Sequence, residues 1–553
     1  MLIGLDFDNT LANYESVFAV EAKKQGLVLN EWQGTKRDLK NKLHSIQNGG
    51  KLWQKIQGQV YGPSMHKAAL FPGVARFLLR CKLQGHTVFI VSHKTKYGHY
   101  DSTKTSLRQV ALDWMYVKGF FDENEFAIRR ENVFFETTRR EKVEKIKSLN
   151  LDVFVDDLEE VFAEEDFPDI KKILFSSASK NEHHDVTCNC WTNIENSIIG
   201  EITNKEIKYI ADSIYKGSIN DIKKIDGRGN SRLYKASTNE MGDVVLKDYP
   251  DLLIDPRKRL LTEVSALKMV ESFNQTPKVV AFDEQQNIAL YEWIEGIHLS
   301  NIDERQILDA LEFIENIQNI ESKADCNLAS EACLSAKHLF TQIDNRFERL
   351  LLVNNQDLQD FLNKTFKPLW TKARKWSEQC WPRDNLTEDL PSSMQVFSPS
   401  DFGFHNSLIK NNGKLCFLDF EYFGRDDPVK LMADFIWHPG MDLNASHKIR
   451  WLKGTCKIFE KDLKIYSRFH AAWPLYGLRW SLILLNEFLE DGWYKRAYAN
   501  DNLRHRHKNK LANQLIKAKD ICEQIQAVNM ECPYMNDFDE QKIFRLDLEN
   551  NGQ

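Results

Sequence analysis

At 553 residues the chain exceeds what one hydrophobic core supports, so two or three domains of roughly 100–200 residues each are expected, with two as the working number. Hydrophobic residues make up 42% and charged residues 28%, which excludes a compositionally disordered chain. A formal charge of −6 offers no bulk basic field for non-specific nucleic-acid binding, and apolar runs such as residues 482–485 fall far short of the ~20 residues that span a bilayer.

The opening MLIGLDFDNT runs straight into acidic residues without a basic, then apolar, leader, so a cytoplasmic setting without membrane attachment is expected. Ten cysteines spread over this length do not resemble a disulfide framework and read as small, reduced core residues. Residues 1–8 form a short apolar strand ending in two aspartates, and comparable runs recur at 86–91 (HTVFIV), 133–135 and 151–155 (LDVFV). Helical segments separate them. That alternation predicts strands joined by helical crossovers into a parallel sheet, with reactive groups at the carboxyl ends of the strands. Between about 14 and 70 lies a mostly helical insertion, placed directly after the first strand where a lid would sit. Residues 193–218 read as a helix-prone connection, and the boundary falls near 205. Beyond it come short strands around a Gly-containing turn, IDGRGNSRLYKAS; from about 300 the chain is largely helical, broken by strand and loop at 395–419.

Asp6 and Asp8, two positions apart in DFDNT, can be arranged around one Mg²⁺, a cation that takes a few carboxylates plus water and phosphate oxygens. One carboxylate of such a pair attacks phosphorus, and the other protonates the leaving group and then activates water. Ser92 follows the strand HTVFIV and can bond a phosphoryl oxygen. Lys142, with Lys145 and Lys147 as alternatives, lies near a helix start and can neutralise charge. Asp156 and Asp157 end the strand LDVFV and can complete the metal site. In these positions, together with Thr10, the sequence resembles the haloacid dehalogenase superfamily over about residues 1–200. The resemblance implies an α/β Rossmann-like domain over 1–204 and a small helical cap at about 14–70. Through Asp8 it implies an Mg²⁺-dependent phosphatase with an aspartyl-phosphate intermediate, acting on a small molecule.

In DGRGNSRLY, Gly227, Gly229 and Asn230 lie in a strand-turn-strand whose backbone N–H groups could sit over nucleotide phosphates. Lys247 in the strand VVLKDY and Glu263 in RLLTEVSALKMV have the strand-lysine and helix-glutamate arrangement that holds nucleotide phosphates in kinases. Downstream, SPSDFGFHNSLIKNNGKLCFLDFEYFGRDDP sets Asp401 and Asn406 at D-x-x-x-x-N spacing, followed by Asp419 after the apolar run LCFL. Asp401 would accept the substrate hydroxyl proton; Asn406 and Asp419 would bind Mg²⁺ on the nucleotide. This region resembles the aminoglycoside phosphotransferase and choline kinase-like family over about 210–550, with Asn230, Pro428 and Asp434 fitting its pattern. It departs at Pro399, where the family carries a His two residues before the catalytic Asp. The resemblance implies a two-lobed α+β, protein-kinase-like domain over 205–553, with lobes at about 215–295 and 296–553. It also implies ATP as phosphoryl donor, and a hinge at YEWIEG in which Glu292 contributes to nucleotide binding.

Other signals read as structural. His183, His184, Cys188 and Cys190 lack the spacing of a zinc knuckle; Trp473, Tyr476 and Trp480 recur at helical spacing and suit core packing; the basic run 504–508 suits a solvated face. Together the motifs point to a kinase and a phosphatase acting on small molecules, with a sugar or related metabolite of surface polysaccharide synthesis as one concrete version. Choline or amino-alcohol phosphorylation is the second enzymatic reading, and a metabolite sensor with one inactive half a third. Nucleic-acid end processing would need a P-loop and a basic groove, and the sequence holds neither.

Overall fold

The structure, a computed structural model, describes residues 1–100, 104–177, 183–225, 230–299, 301–321, 326–489 and 507–535. The chain divides into two compact units: Met1–Ile210 with Asp251–Pro256 and Gln285–Asn287, and Ala211–Pro250 with Arg257–Glu284 and Ile288–Gln553.

In the first unit six apolar runs become β1 (Leu2–Leu5), β2 (Thr87–His93), β3 (Val133–Glu136), β4 (Val153–Asp156), β5 (Lys171–Phe175) and β6 (Val186–Cys188). All pair in parallel, in the order β3-β2-β1-β4-β5-β6. The near-continuous apolar character of LIGL and VFVD follows from burial on both faces of the sheet. Gly4 in β1 is needed for close approach, because a Cβ there would come within 2.4 Å of Leu151 Cδ1 and 2.5 Å of Phe154 Cδ2. From β1 the chain builds β2 and β3 on one side, then crosses to β4 on the other. Connections therefore diverge at the carboxyl ends of β1 and β4, which opens a crevice there. β2 extends two residues past the apolar run, so Ser92 lies inside the strand rather than after it.

The insertion after β1 consists of three helices, Glu15–Lys24, Lys36–His44 and Gly49–Tyr61, closed at its base by the two-residue strands Ala12–Asn13 and Ala69–Leu70. Thr35 starts the second helix with a capping box: its hydroxyl accepts from Asp38 N–H, and the Asp38 carboxylate accepts from Thr35 N–H. Aromatic rings pack the insertion, with Phe18 stacked on Trp53 at 5.2 Å and Tyr14 edge-on to Tyr61 at 4.7 Å.

The second unit begins with a five-stranded antiparallel sheet, ordered Val279–Asp283, Ile288–Glu292, Gly242–Asp248, Arg232–Thr238, Ile219–Ile225, with the helix Arg259–Val270 beside it. A helical portion follows, including Glu304–Gln318, Pro428–Trp437, Ala445–Ile458 and Ile465–Leu484. Its apolar core includes Trp451, fully buried and stacked 3.7 Å from Phe435. Asp427 caps Pro428–Trp437 by accepting from Val429 N–H, with Pro428 at the first helical position, where no N–H is missed. Among the described residues, no helix is long and apolar enough to cross a membrane. All ten cysteines are free thiols.

Arg80, wholly buried on the helix Val74–Leu83, donates to Glu195 (2.5 Å) and Glu206 (3.0 Å), tying three helices of the first unit together. Arg80→Ala would leave two buried carboxylates without their cation, and should lower the unfolding free energy of that unit by about 3–5 kcal/mol in urea titration.

Candidate functional site

Asp6 lies one residue past β1 and Asp156 is the last residue of β4, so sheet pairing alone brings the two carboxylates to the same crevice. The third partner comes from the helix Arg139–Ser148. A capping box sets its start, with Thr138 Oγ1 accepting from Glu141 N–H at 3.1 Å and Glu141 Oε2 accepting from Thr138 N–H at 2.9 Å. Lys142 then falls in the first turn, and its buried ammonium donates to Asp6 Oδ1 at 2.5 Å and Asp156 Oδ2 at 2.6 Å. Lys145 instead lies over the Phe134 ring, and Lys147 is exposed. Burial pushes the Asp6 carboxyl up to about 7, with Lys142 opposing and the charge of Asp156 adding. Burial also raises Asp157 well above the usual carboxylate range. Burial would lower Lys142, but Asp156 and Asp6 hold its ammonium well above the usual value. Oxygens of Asp6, Asp156 and Asp157 lie within 4.8 Å of one another, an all-oxygen donor set suited to a hard divalent cation. Thr10 Oγ1 donates to Asp157 at 3.4 Å, and Ser92 is buried in the strand beside β1.

Asp8 is surrounded by residues that the motif pattern does not reveal. Lys94 Nζ bonds both of its oxygens at 2.8 Å, and Tyr14 OH donates to Oδ1 at 2.5 Å. Next to it, Lys36 Nζ donates to Asn9 Oδ1 at 2.7 Å and Tyr61 OH at 3.2 Å. Tyr14, Lys36 and Tyr61 all belong to the insertion or its first residue.

In the second unit Lys247, next to last in its strand, is gripped by Glu263 Oε2 at 2.7 Å, Asp419 Oδ1 at 2.7 Å and Glu421 Oε2 at 3.2 Å. Tyr249 OH also donates to Glu263, and Arg259 pairs with Glu421. Against the cost of burial, Asp419, Glu263 and Glu421 hold the Lys247 ammonium well above its usual value. Burial pushes Asp419 up to about 7, with Lys247 opposing. Asp419 holds φ +66°, the left-handed region, just beyond the strand Leu415–Phe417. Glu263, Asp419 and Glu421 form a second compact carboxylate set. A cavity opens beside it, lined by Asn230, Lys247, Glu292, Trp293, Ile294 and Asp419. Gly227 and Gly229 lie outside the described residues.

Asn406 donates through Nδ2 to Asp401 O at 3.0 Å and Oδ2 at 3.3 Å, which ties the ends of the D-x-x-x-x-N loop together. With Pro399 two residues before Asp401, a histidine comes from inside the loop: His405 Nε2 meets Asp401 Oδ1 at 3.1 Å. His438 stacks on His405 at 3.6 Å, its Nε2 3.6 Å from the same oxygen. These three residues could be taken for a metal site. Gly440 N–H, however, donates to His438 Nδ1 at 3.0 Å, which leaves the proton of the neutral ring on Nε2, facing Asp401 as a donor and not as a metal ligand. Burial drives His438 down to about 4. Burial would raise Asp401, but the bond from His405, with the electrostatic pull of the two imidazoles and the bond from Asn406, holds it well below the usual range.

Of the other candidates, Trp473 and Tyr476 are buried core residues, whereas Trp480 stands edge-on to His438 at 4.6 Å and bonds Asp434 at 2.8 Å. His184 bonds Thr187, and burial pushes the thiols of Cys188 and Cys190 up to about 11 and 12; with His183 they form no metal-ligating group among the described residues. Residues 504–506 lie outside the described residues. Sequence reasoning missed Lys94, Tyr14, Lys36, Glu421, His405 and His438. Two had a local signal, Glu421 two residues after Asp419 and His405 one before Asn406.

No protein-family model matches the chain. It is similar to a putative nucleotidase of Oceanobacillus iheyensis, 26% identical over 162 residues, covering 28% of this chain and 77% of that protein. Among solved structures it is similar to a choline kinase from Streptococcus pneumoniae, at 15% identity, 58% of this chain, 98% of that chain and a TM-score of 0.39. A spectinomycin phosphotransferase in complex with ADP and spectinomycin matches at 13% identity, 60% and 99% coverage and a TM-score of 0.39.

Lys142→Met would set two buried carboxylates against each other, raising their folded-state pKa above the unfolded value. Such groups contribute least at high pH and recover stability as acid protonates one of them. Urea titration should show a loss of about 3–5 kcal/mol at pH 8 that shrinks at pH 6.

Proposed function

We propose that the chain carries two phosphoryl-transfer sites, a phosphohydrolase of the haloacid-dehalogenase type in 1–204 and an ATP-dependent small-molecule kinase in 205–553. The observation that carries the reading is the same in both units: a buried lysine bridges carboxylates from separate elements at the open end of a sheet or cleft. In the first site Asp6 attacks phosphorus as the ester P–O bond breaks, and Asp8 protonates the leaving oxygen. Asp8 then takes a proton from the water that releases phosphate from Asp6. Ser92 and Lys142 hold phosphoryl oxygens. Asp6, Asp8, Asp156 and Asp157 would hold Mg²⁺, which supplies charge neutralisation for the phosphoryl group when bound. The likeness to a putative nucleotidase supports phosphate-ester hydrolysis by this chain.

In the second site the nucleotide would occupy the cavity beside Lys247, with Asn230 and Glu292 on its wall and Asn406, Asp419 and Glu421 as the Mg²⁺-binding oxygens. Asp401 accepts the proton of the acceptor hydroxyl, held in place by His405 and Asn406. An amino-alcohol acceptor is a second reading beside a sugar, favoured by Trp480 standing against His438 at the edge of the Asp401 loop.

Across a panel of sugars, amino alcohols and their phosphates, Asp6→Asn should abolish phosphate release while leaving ATP-dependent phosphorylation intact, and Asp401→Asn should do the reverse, each by about 10³-fold or more. Wild type showing neither activity with Mg²⁺ would turn the reading towards a metabolite sensor. Because Asp6 and Asp419 sit near 7, Mg²⁺ titrated calorimetrically should bind each site about tenfold more tightly at pH 8 than at pH 6, as the competing proton leaves.

A further inference from the structure

Two ammonium groups stand at Asp8 and its neighbour Asn9, and the chemistry proposed for the first unit uses neither. Lys94, 3% exposed, is spent on Asp8 itself. The Lys36 ammonium is half-buried and bonds only neutral oxygens, those of Asn9 and Tyr61; no carboxylate lies within ion-pair distance of it among the described residues, and Glu15 accepts from the Lys36 backbone N–H instead, at 2.8 Å. Burial accordingly pulls its ammonium down, with Asp157 and Asp8 opposing from farther off. The two lysines flank one ring, Lys36 Nζ lying 5.8 Å and Lys94 Nζ 5.3 Å from the centre of Tyr61. Lys36 also lies 5.1 Å from the Phe18 ring. A cation withdrawn from water without a counter-ion is costly, and an anionic ligand offsets that cost. The attacked phosphoryl group already has Lys142 and the metal carboxylates. In the proposed mechanism Asp8 protonates the leaving oxygen, and when it turns from Lys94 to that oxygen, Lys94 also loses its carboxylate.

We propose that Lys36 and Lys94, with Asn9 and Tyr61, form a second anion site on the leaving-group side of Asp8. The substrates of the first unit are then phosphate monoesters whose leaving alcohol carries its own anionic group, a carboxylate or a second phosphate. The proposal rests on the phosphohydrolase reading. It leaves the bond changes as stated above, and the two lysines bind without exchanging protons.

The test compares phosphate release from three esters of similar size, with a neutral alcohol, a hydroxy acid and an alcohol bearing a second phosphate as leaving groups. Wild type, Asp6→Asn, Lys36→Met and Lys36→Arg full-length proteins are assayed with Mg²⁺. Lys36→Met should raise KM for both anionic esters by about tenfold or more with little change in kcat, leave the neutral ester unaffected, and be rescued by Lys36→Arg. Selectivity for only one of the anionic esters names which anion the site takes. Wild type preferring the neutral ester, or Lys36→Met impairing all three esters alike, overturns the second anion site while the phosphohydrolase stands. Wild type releasing no phosphate from any ester, or releasing it equally in Asp6→Asn, removes the phosphohydrolase reading and this inference with it.

Discussion

A lysine ammonium leaves water at little cost only when negative charge comes with it, and each unit holds one such ion at its candidate site. Lys142 is satisfied by the ends of β1 and β4, Lys247 by a helix and by the stretch that follows a distant strand. Neither lysine can be placed until the surrounding elements have formed, so each charged cluster also certifies the fold around it. The same arrangement leaves Asp6 and Asp419 near neutrality in their titration, less strongly ionised than surface aspartates. Such carboxylates are ready to change partner, from an internal ammonium to the cation or phosphoryl group of the proposed chemistry.

The surroundings of the two proposed proton-transfer aspartates differ in origin. Asp401 is oriented from within its own loop by His405, whose Nε2 donates to Oδ1, while His438, just past the helix that ends at Trp437, stands 3.6 Å from the same oxygen. Asp8 is oriented by Lys94 from the β2 end and by Tyr14 from the insertion. In the first case the contacts are intrinsic to the helical portion of the unit. In the second, one of the two comes from a segment outside the six-stranded sheet, so variation in that segment would alter what Asp8 meets.

Much of the parallel sheet is legible in the sequence because its strands are short, apolar on both faces and separated by helices, and strand ends are where polar residues must emerge. That is why Asp6 and Asp156 can be paired on paper. Lys142 cannot be separated from Lys145 and Lys147 by pattern alone. What separates them is the capping box at Thr138, which sets the helix phase and turns one lysine inward, one over Phe134 and one to solvent. Lys36 is less visible still: it sits in a polar stretch, and its meaning comes from two other helices that pack through Phe18, Trp53 and Tyr61 and bring two of those rings to its ammonium. Ser92 shows the limit at a finer scale, since polarity suggests a strand end where pairing with β3 continues through His93.

The left-handed backbone at Asp419 restricts how this position can evolve. An L-residue at that φ is costly unless it is glycine or a short residue of the Asp and Asn kind, which tolerates the region. Asparagine would therefore keep the loop's course while removing one of the three charges around Lys247, and alanine or a branched residue would disturb both. A lineage that gave up the proposed phosphoryl transfer while keeping the cleft for binding would be expected to pass through Asn or Gly at 419. Those two residues mark the accessible routes from catalyst to receptor.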